Sequence, residues 1–507
     1  MNQLSFPDYL VILAYLVGLI LLGFVFSKRQ TSPKEYFLAS KNIPWWAAGM
    51  SIFATLLSAQ TFLGGPGWVF ARDSRWLITG SVIGLGTVAL AAAIWVPLWQ
   101  KLPILSIYEY LERRFHPGLR IVGALFFLCN CTFWMGNALV IAAQGFNAAT
   151  GVSIETGIWC IVLLTMVYTT LGGARAVIWS DVAQFLLLFL TYIVIAWLLL
   201  AEFQWHPQEI YNIASSKTSE ITGYPHTTMV SFEFNFAIEA TFWALLFSQL
   251  ILSINYGADQ IYVQKMLSTN SKKSMSRVLM SYGVWTLVFG ILSTMIAWGM
   301  IAFYDRHPDL SSSLSHPDQV LPHFVVSQVP VIIRGLIMAG ILAAMMSTLS
   351  SVINSMSTVT TIDFFSRYLT QNNSERYLTL ISKFSSVFHA ILLLSFAIWQ
   401  SSYSEANVVE RHTKLVAMTN APVAAFFFLG IISKRTNTPG VLIGAAAGVM
   451  AALSLVGFQG FMEPLIQGVN FFWVNGISLI VSLMVGFFSS LLFKPPNPES
   501  IKQLTVR

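Results

Sequence analysis

Apolar residues recur along most of the chain in runs of about 20, the length at which a helix crosses the hydrocarbon core of a bilayer. Thirteen such runs are legible, at roughly 8–27, 44–71, 75–99, 120–149, 154–173, 177–201, 237–260, 277–304, 330–362, 381–400, 411–432, 440–458 and 470–493. They predict an all-α polytopic membrane protein with about 13 transmembrane helices. Two runs are interrupted. FATLLSAQTFLGG (53–65) carries Thr55, Ser58, Gln60 and Thr61, then meets Gly64, Gly65, Pro66 and Gly67. SINYGADQIYVQK (253–265) carries Asn255, Gly257, Asp259 and Gln260. Two others stay helical in pattern but hold polar groups: VYTTLGGARAVIWSDVAQ (167–184) contains Asp181, and AGILAAMMSTLSSVINS (339–355) contains Ser347, Thr348, Ser350 and Ser351. Hydrocarbon penalises unsatisfied polar groups, so each needs a partner, a cavity or a function.

Composition agrees with the pattern. Of 507 residues 55% are hydrophobic and only 10% charged, with mean hydropathy +0.67, where a soluble chain carries roughly a quarter charged residues. The first run, Tyr9 to Phe26, lacks a basic leader and a small-residue cleavage site, so it reads as a retained span and not as a signal peptide. Cys129 and Cys131 would face nearly opposite sides of a helix, and with Cys160 they read as small apolar fillers. The net charge of +6 is informative by position. With alternate run ends assigned to one side, 21 of the 28 Lys and Arg fall together, Lys265 among them. The positive-inside rule makes that side cytoplasmic, with the N-terminus outside and the C-terminus inside. The basic surplus thus reports topology, and no nucleic-acid partner is expected. The longest loops, 202–236 and 305–329, fall outside; the second contains HPDLSSSLSHPD and reads as a capped, partly ordered loop. In SIYEYLERRF (106–115), Ser106 precedes Glu109 by three, a capping-box spacing for a short interfacial helix.

Geometry sharpens the polar features. At 100° per residue Ser347, Thr348, Ser350 and Ser351 share an arc of roughly 160°, with Ala344 inside it. Four hydroxyls and one carboxylate make an oxygen-rich site suited to a hard monovalent cation. Packing or backbone bonding by the serines is the competing reading, and Asp181 near a span end has a snorkelling cap as its alternative. Asn255 and Asp259 have the membrane interface as theirs. The nearest basic residue in sequence, Arg175, lies past Gly172 and Gly173 and reads as cytoplasmic, which leaves a bound cation as the expected partner of Asp181. The interrupted runs are the second and the seventh. That is the placement of paired broken helices in inverted-topology repeats, which flank a midplane transport site and expose carbonyls to a cation and amides to a substrate.

These residues resemble the sodium/solute symporters, a family that carries sugars, proline, sialic acid, monocarboxylates, vitamins and iodide. The resemblance covers about residues 5–450, through FATLLSAQTFLG, SIYEYLERRF, YTTLGGARAVIWSDVAQ, NYGADQIYVQK, SHPDQVLPHFVV, AAMMSTLSSVINS and GIISKRTNTPGVLIG, in family order. It implies a leucine-transporter-like 5+5 inverted repeat: an extra N-terminal helix (1–30), a first repeat (44–201), an inverted second repeat (237–432), two C-terminal helices (440–493) and a cytoplasmic tail (494–507). It further implies a shared sodium site of the Ala54, Leu57 and Ala344 carbonyls with the Ser347 and Thr348 hydroxyls. A second sodium site, known in some members, maps to Asp181, Ser347, Ser350 and Ser351, for one or two Na+ per cycle. Substrate-side positions map to Ser58, Gln60, Thr61, Asn137, Asn255 and Tyr256. Sugar transporters carry a tyrosine where this chain has Asn255. Sialic-acid transporters hold the carboxylate with an arginine in the fourth span, and LFFLCNCTFWMGNALVIAAQ has none. On this resemblance a small carboxylate or sugar acid, such as a monocarboxylate or sialic acid, ranks above neutral sugar, amino acid, iodide or vitamin.

The partners expected are therefore a small solute, sodium ions and the lipid bilayer, with no obligate protein partner. A channel or sensor would share the spans, but it needs no paired broken helices, and a sensor needs a signalling domain the short loops do not supply. An enzyme needs a converging nucleophile, base and acid. His389, the one histidine well inside a span, reads as a core residue.

Overall fold

The computed structural model describes all residues except 1–3, 28–29, 31, 58, 312–313, 315–316, 370–373, 403–407, 458–464, 467–468 and 506–507, and leaves aside the side chains of 59–60, 63, 148–149, 311, 318, 369, 408–417 and 500. In chain order the helices are α1 (Phe6–Ser27), α2 (Pro33–Leu38), α3 (Trp45–Leu56), α4 (Ala59–Ala71), α5 (Arg75–Trp99), α6 (Tyr108–Arg114), α7 (Pro117–Thr150), α8 (Ile154–Glu202), α9 (Pro207–Ser216) and α10 (Phe242–Ala258). They continue with α11 (Gln260–Leu267), α12 (Lys272–Arg306), α13 (Pro308–Ser311), α14 (Val320–Gln328), α15 (Ile333–Val359), α16 (Glu375–Ser401), α17 (Val408–Ile432), α18 (Thr438–Val456), α19 (Phe471–Ser490) and α20 (Pro498–Ile501). Among the described residues nine helices are long and apolar enough to cross a membrane, and α3, α10 and Met418–Ile432 are shorter apolar helices.

Local chemistry sets the boundaries. Thr241, Ser271 and Ser153 cap α10, α12 and α8 by accepting N–H groups of the first turn, and α7 runs from Pro117 to a left-handed Gly151, the usual Pro-start and Gly-stop asymmetry. The 49-residue α8 is two helices in sequence, because Gly173 (φ 56°, ψ −158°) turns the chain between them. Only glycine fits: a Cβ there would meet the Tyr36 carbonyl oxygen at 2.7 Å. Between α18 and α19 the backbones nearly touch, since a Cβ on Gly444 would lie 2.4 Å from the Ser482 carbonyl oxygen, the close approach small residues permit in lipid.

At the centre stands α15. Every residue from Ile337 to Val359 is buried, whereas only 17% of the apolar window of α1 is. The segment 305–329 is more regular than a capped loop. It holds α13, a 3-10 turn at Pro317–Gln319 and α14, fastened by Tyr304, whose hydroxyl donates to the Val320 carbonyl at 2.9 Å.

The helix at 108–114 forms, and Glu109 accepts from the Ser106 N–H at 3.1 Å as the capping-box spacing predicts. Its Tyr108, Tyr110, Leu111 and Arg114 are buried in protein, however, so it is not a merely interfacial helix. The Ser106 hydroxyl donates to Asp363 (2.5 Å), whose other oxygen pairs with Arg120 at 2.6 Å. Arg120 and Arg367 both bind Glu112. Burial raises the Glu112 carboxyl, but those two arginines outweigh it and hold the group below its ordinary range.

Cys131 is buried and Cys129 exposed, on different sides of α7. His389 is a core residue, its Nε2 2.7 Å from the Thr360 hydroxyl.

Candidate functional site

The first broken helix parts at Leu57, where ψ swings to 71° and the Leu57 N–H closes the last turn of α3 on Phe53 (2.8 Å). Gly64, Gly65, Pro66 and Gly67 do not end the helix, because α4 runs through them to Ala71. Gly65 serves close packing: a Cβ there would meet the Ser293 hydroxyl of α12 at 2.9 Å. The second break is one residue, Asp259, extended at φ −117° and ψ 130°, whose carboxylate accepts the Ile261 N–H at 2.7 Å and so caps α11.

Beside the first break, α15 presents its hydroxyls. Ser347 Oγ donates to the Ala54 carbonyl at 2.8 Å and lies 3.1 Å from the Ala344 carbonyl, to which Thr348 Oγ1 donates at 3.0 Å. All four residues are fully enclosed. Two carbonyl and two hydroxyl oxygens therefore converge where the backbone of α3 comes loose, next to Leu57. Such a set offers partial negative charge without a formal anion, which fits a monovalent cation that has to leave again.

Asp181 in the second half of α8 gathers a different group. Its Oδ2 accepts from Ser51 (2.5 Å), Ser351 (3.2 Å) and Thr55 (3.4 Å), and its Oδ1 from Ser350 (3.5 Å). Ser350 and Ser351 thus reach Asp181, while Ser347 turns to Ala54. The expected absence of a basic partner is overturned. Lys265 Nζ lies 2.9 Å from Asp181 Oδ2, donates to the Ser51 carbonyl at 2.9 Å and also bonds Thr55. Position in sequence made Lys265 look cytoplasmic. The break at Asp259 instead directs the eight residues of α11 into the bundle, all of them buried. Arg175 has its own carboxylate, Glu35, at 2.8 Å. Lys265 lines a small cavity of about 10 Å³, room for a single water, together with Val177, Gln264, Ser351, Asn354 and Ser355 among others.

The substrate-side expectations separate. Ser58 lies outside the described residues, as does the side chain of Gln60. Thr61 is half-buried in the first turn of α4. Asn137 on α7 bonds Gln400 on α16. Asn255 is buried with neither its amide oxygen nor its nitrogen bonded to protein, an arrangement that asks for a ligand or water. Tyr256 packs edge-on against Tyr262 and Tyr282, with ring centroids 5.1 and 5.7 Å away, and so spans the second break.

One feature escaped the sequence reading altogether. A small cavity of about 10 Å³ lies between α7, the second break and α17, lined by Tyr108, Asn130, Asp259, Thr419 and Asn420 among others. The Tyr108 hydroxyl there is buried without a partner. Its signals in the sequence are single asparagines in two apolar runs, Asn130 and Asn420, together with Asp259 at the second break.

The profile of the sodium:solute symporter family matches residues 36–448. The sodium/sialic acid symporter of Proteus mirabilis (strain HI4320) is 28% identical over 505 residues, covering 99% of this chain and 98% of the relative. The sodium-dependent multivitamin transporter of Oryctolagus cuniculus is 27% identical, covering 98% of this chain and 74% of the relative. Among solved structures, the substrate-bound outward-open state of a Na+-coupled sialic acid symporter, described as revealing a novel Na+-site, superposes with TM-score 0.86 at 28% identity over 97% of this chain and 99% of that one. With an all-helical fold of apolar spans, two broken helices and a cluster of oxygens between the first of them and α15, the chain belongs to the sodium:solute symporter family, integral membrane proteins that move a solute together with sodium.

Proposed function

We propose that this symporter imports a small organic acid, a monocarboxylate or a sugar acid such as sialic acid, across the cell membrane by alternating access, with sodium bound at the shared site of Ala54, Leu57, Ala344, Ser347 and Thr348. The observation that carries the reading is the convergence of four oxygens on the unwound end of α3. A sodium ion there ties α3 to α15 and so favours one arrangement of the two repeats, 44–201 and 237–432, which is how ion binding is coupled to solute access. The N-terminus of α4 supplies amides and a positive dipole end to a carboxylate without help from an arginine. Ser58, Gln60 and Thr61, at the start of this helix in the sequence, are assigned to the solute in this reading. Asn255 and Tyr256 on the second broken helix are the further solute-binding residues in this reading, and Asn137 orders α7 through Gln400.

The test is uptake into proteoliposomes of labelled pyruvate, N-acetylneuraminic acid, glucose and iodide, with and without an inward sodium gradient. Accumulation of an acid above equilibrium, lost when sodium is replaced by choline, is expected. Accumulation of glucose alone would remove the carboxylate reading. On the basic-residue asymmetry we further propose thirteen spans, with the N-terminus outside and the C-terminus cytoplasmic. Reporter enzymes fused to the two ends should read opposite sides, and finding both on one side removes the repeat assignment.

A further inference from the structure

The acceptors around Asp181 already hold a positive charge, and it belongs to the chain. Lys265 reaches them from α11, the inner half of the second broken helix, with its side chain 6% exposed and that of Asp181 fully enclosed. Its ammonium meets a carboxylate oxygen, the Ser51 carbonyl and the Thr55 hydroxyl. Carboxylate, carbonyl and hydroxyl are the ligand types a sodium ion takes. A sodium held by Asp181, Ser350 and Ser351 would stand within a few ångströms of that ammonium. Two positive charges would then share one carboxylate in a water-poor interior, where repulsion between like charges is little screened. Ammonium and sodium therefore compete for this carboxylate, and the ammonium holds the oxygen to which Ser51, Thr55 and Ser351 also donate.

We propose that Lys265 is a tethered cation that fills the second position of this carrier, so that the shared site alone takes up sodium and one ion is bound per cycle. The proposal rests on the sodium-coupled reading above and adds its stoichiometry. A lysine suits the role, being a compact point charge on a flexible stem. Because it is carried on α11, the charge that neutralises Asp181 also binds the inner half of the second broken helix to α3 and α8. Ion binding at the shared site and closure around Asp181 are thereby assigned to different cations, one from solution and one from the protein.

The experiment is equilibrium binding of radioactive sodium to the purified full chain in lipid nanodiscs, with no solute present. Wild type is expected to bind one sodium per chain with a Hill slope near one, and Lys265→Arg the same. Lys265→Met leaves Asp181 without its cation and is expected to bind two. The neutral Lys265→Met/Asp181→Asn pair returns to one. Two ions in wild type, or a folded Lys265→Met that still binds one, would overturn the proposal. If Lys265→Met does not fold, wild type and the double variant decide: one ion in each supports it, and two against one overturns it. Wild type that binds two ions, one of them weakened by Thr348→Ala, removes the tethered cation and leaves the symport reading intact. Wild type that binds none removes both.

Discussion

Replacing Thr348 by alanine raises the sodium concentration for half-maximal uptake by about 10- to 100-fold, with expression and melting temperature close to wild type. The hydroxyl now donates to the Ala344 carbonyl at 3.0 Å within a fully enclosed cluster, and removing it deletes one of the oxygens offered to the ion. A hydrogen-bonding contact to a charged group is worth about 1.5–3 kcal/mol, and each 1.4 kcal/mol is about tenfold in affinity. Alanine keeps the helix, having the best intrinsic propensity. Ser347→Ala is the less clean probe, because Ser347 also ties α15 to the Ala54 carbonyl. The measurement is uptake against sodium concentration for both proteins, with yield monitored. An unchanged sodium requirement accompanied by poor yield would return the serine run of α15 to a packing role.

Asp8→Ala should cost about 3–5 kcal/mol of stability, the range found when one partner of a buried ion pair is removed. The Asp8 side chain is fully enclosed and accepts from the Ser5 N–H and hydroxyl, the Ile332 and Gly335 N–H groups, and both Nε and Nη2 of Arg334. It therefore holds the first turn of α1 to the start of α15. Alanine strands the Arg334 guanidinium and frees three backbone donors, those of Ser5, Ile332 and Gly335. Thermal melting of the solubilised protein reads the loss, and Asp8→Ala/Arg334→Leu should lose less than Asp8→Ala alone, since no unpaired charge remains. A single variant melting like wild type would show that water reaches the site and compensates.

The helices were legible because lipid leaves only one economy of backbone hydrogen bonds open to a single span, so apolar length translates directly into helix. Both breaks were legible too, as polar residues in otherwise continuous runs. Their exact geometry was not. Gly64 to Gly67 look like a terminus when read locally, but the helix continues, and close approach to Ser293 across the bundle explains Gly65. Lys265 was misplaced for a related reason. A basic residue close to the end of an apolar run has the same appearance whether it faces the cytoplasm or is folded inward by a one-residue break at Asp259. Its neighbours held a clue in retrospect: Gln260 and Gln264, which bond the loop at Leu105 and Ile107, Phe37, Ser355 and Thr358, make α11 polar on a face that is nevertheless buried. The Asp8 anchor has a local signal as well, the Ser5-to-Asp8 capping spacing ahead of the first apolar run.

The enclosure of α15 has a consequence for how this sequence is free to drift over generations. From Ile337 to Val359 no side chain has a lipid-facing direction in which a change of volume would go unfelt. Substitutions there have to conserve size and hydrogen bonding with helices on all sides, so accepted changes should be few and arrive in compensating pairs. The lipid-facing positions of α1, such as Leu13, Leu21 and Val25, need only stay apolar. One chain should thus carry two clocks, slow along its central helix and fast along its first.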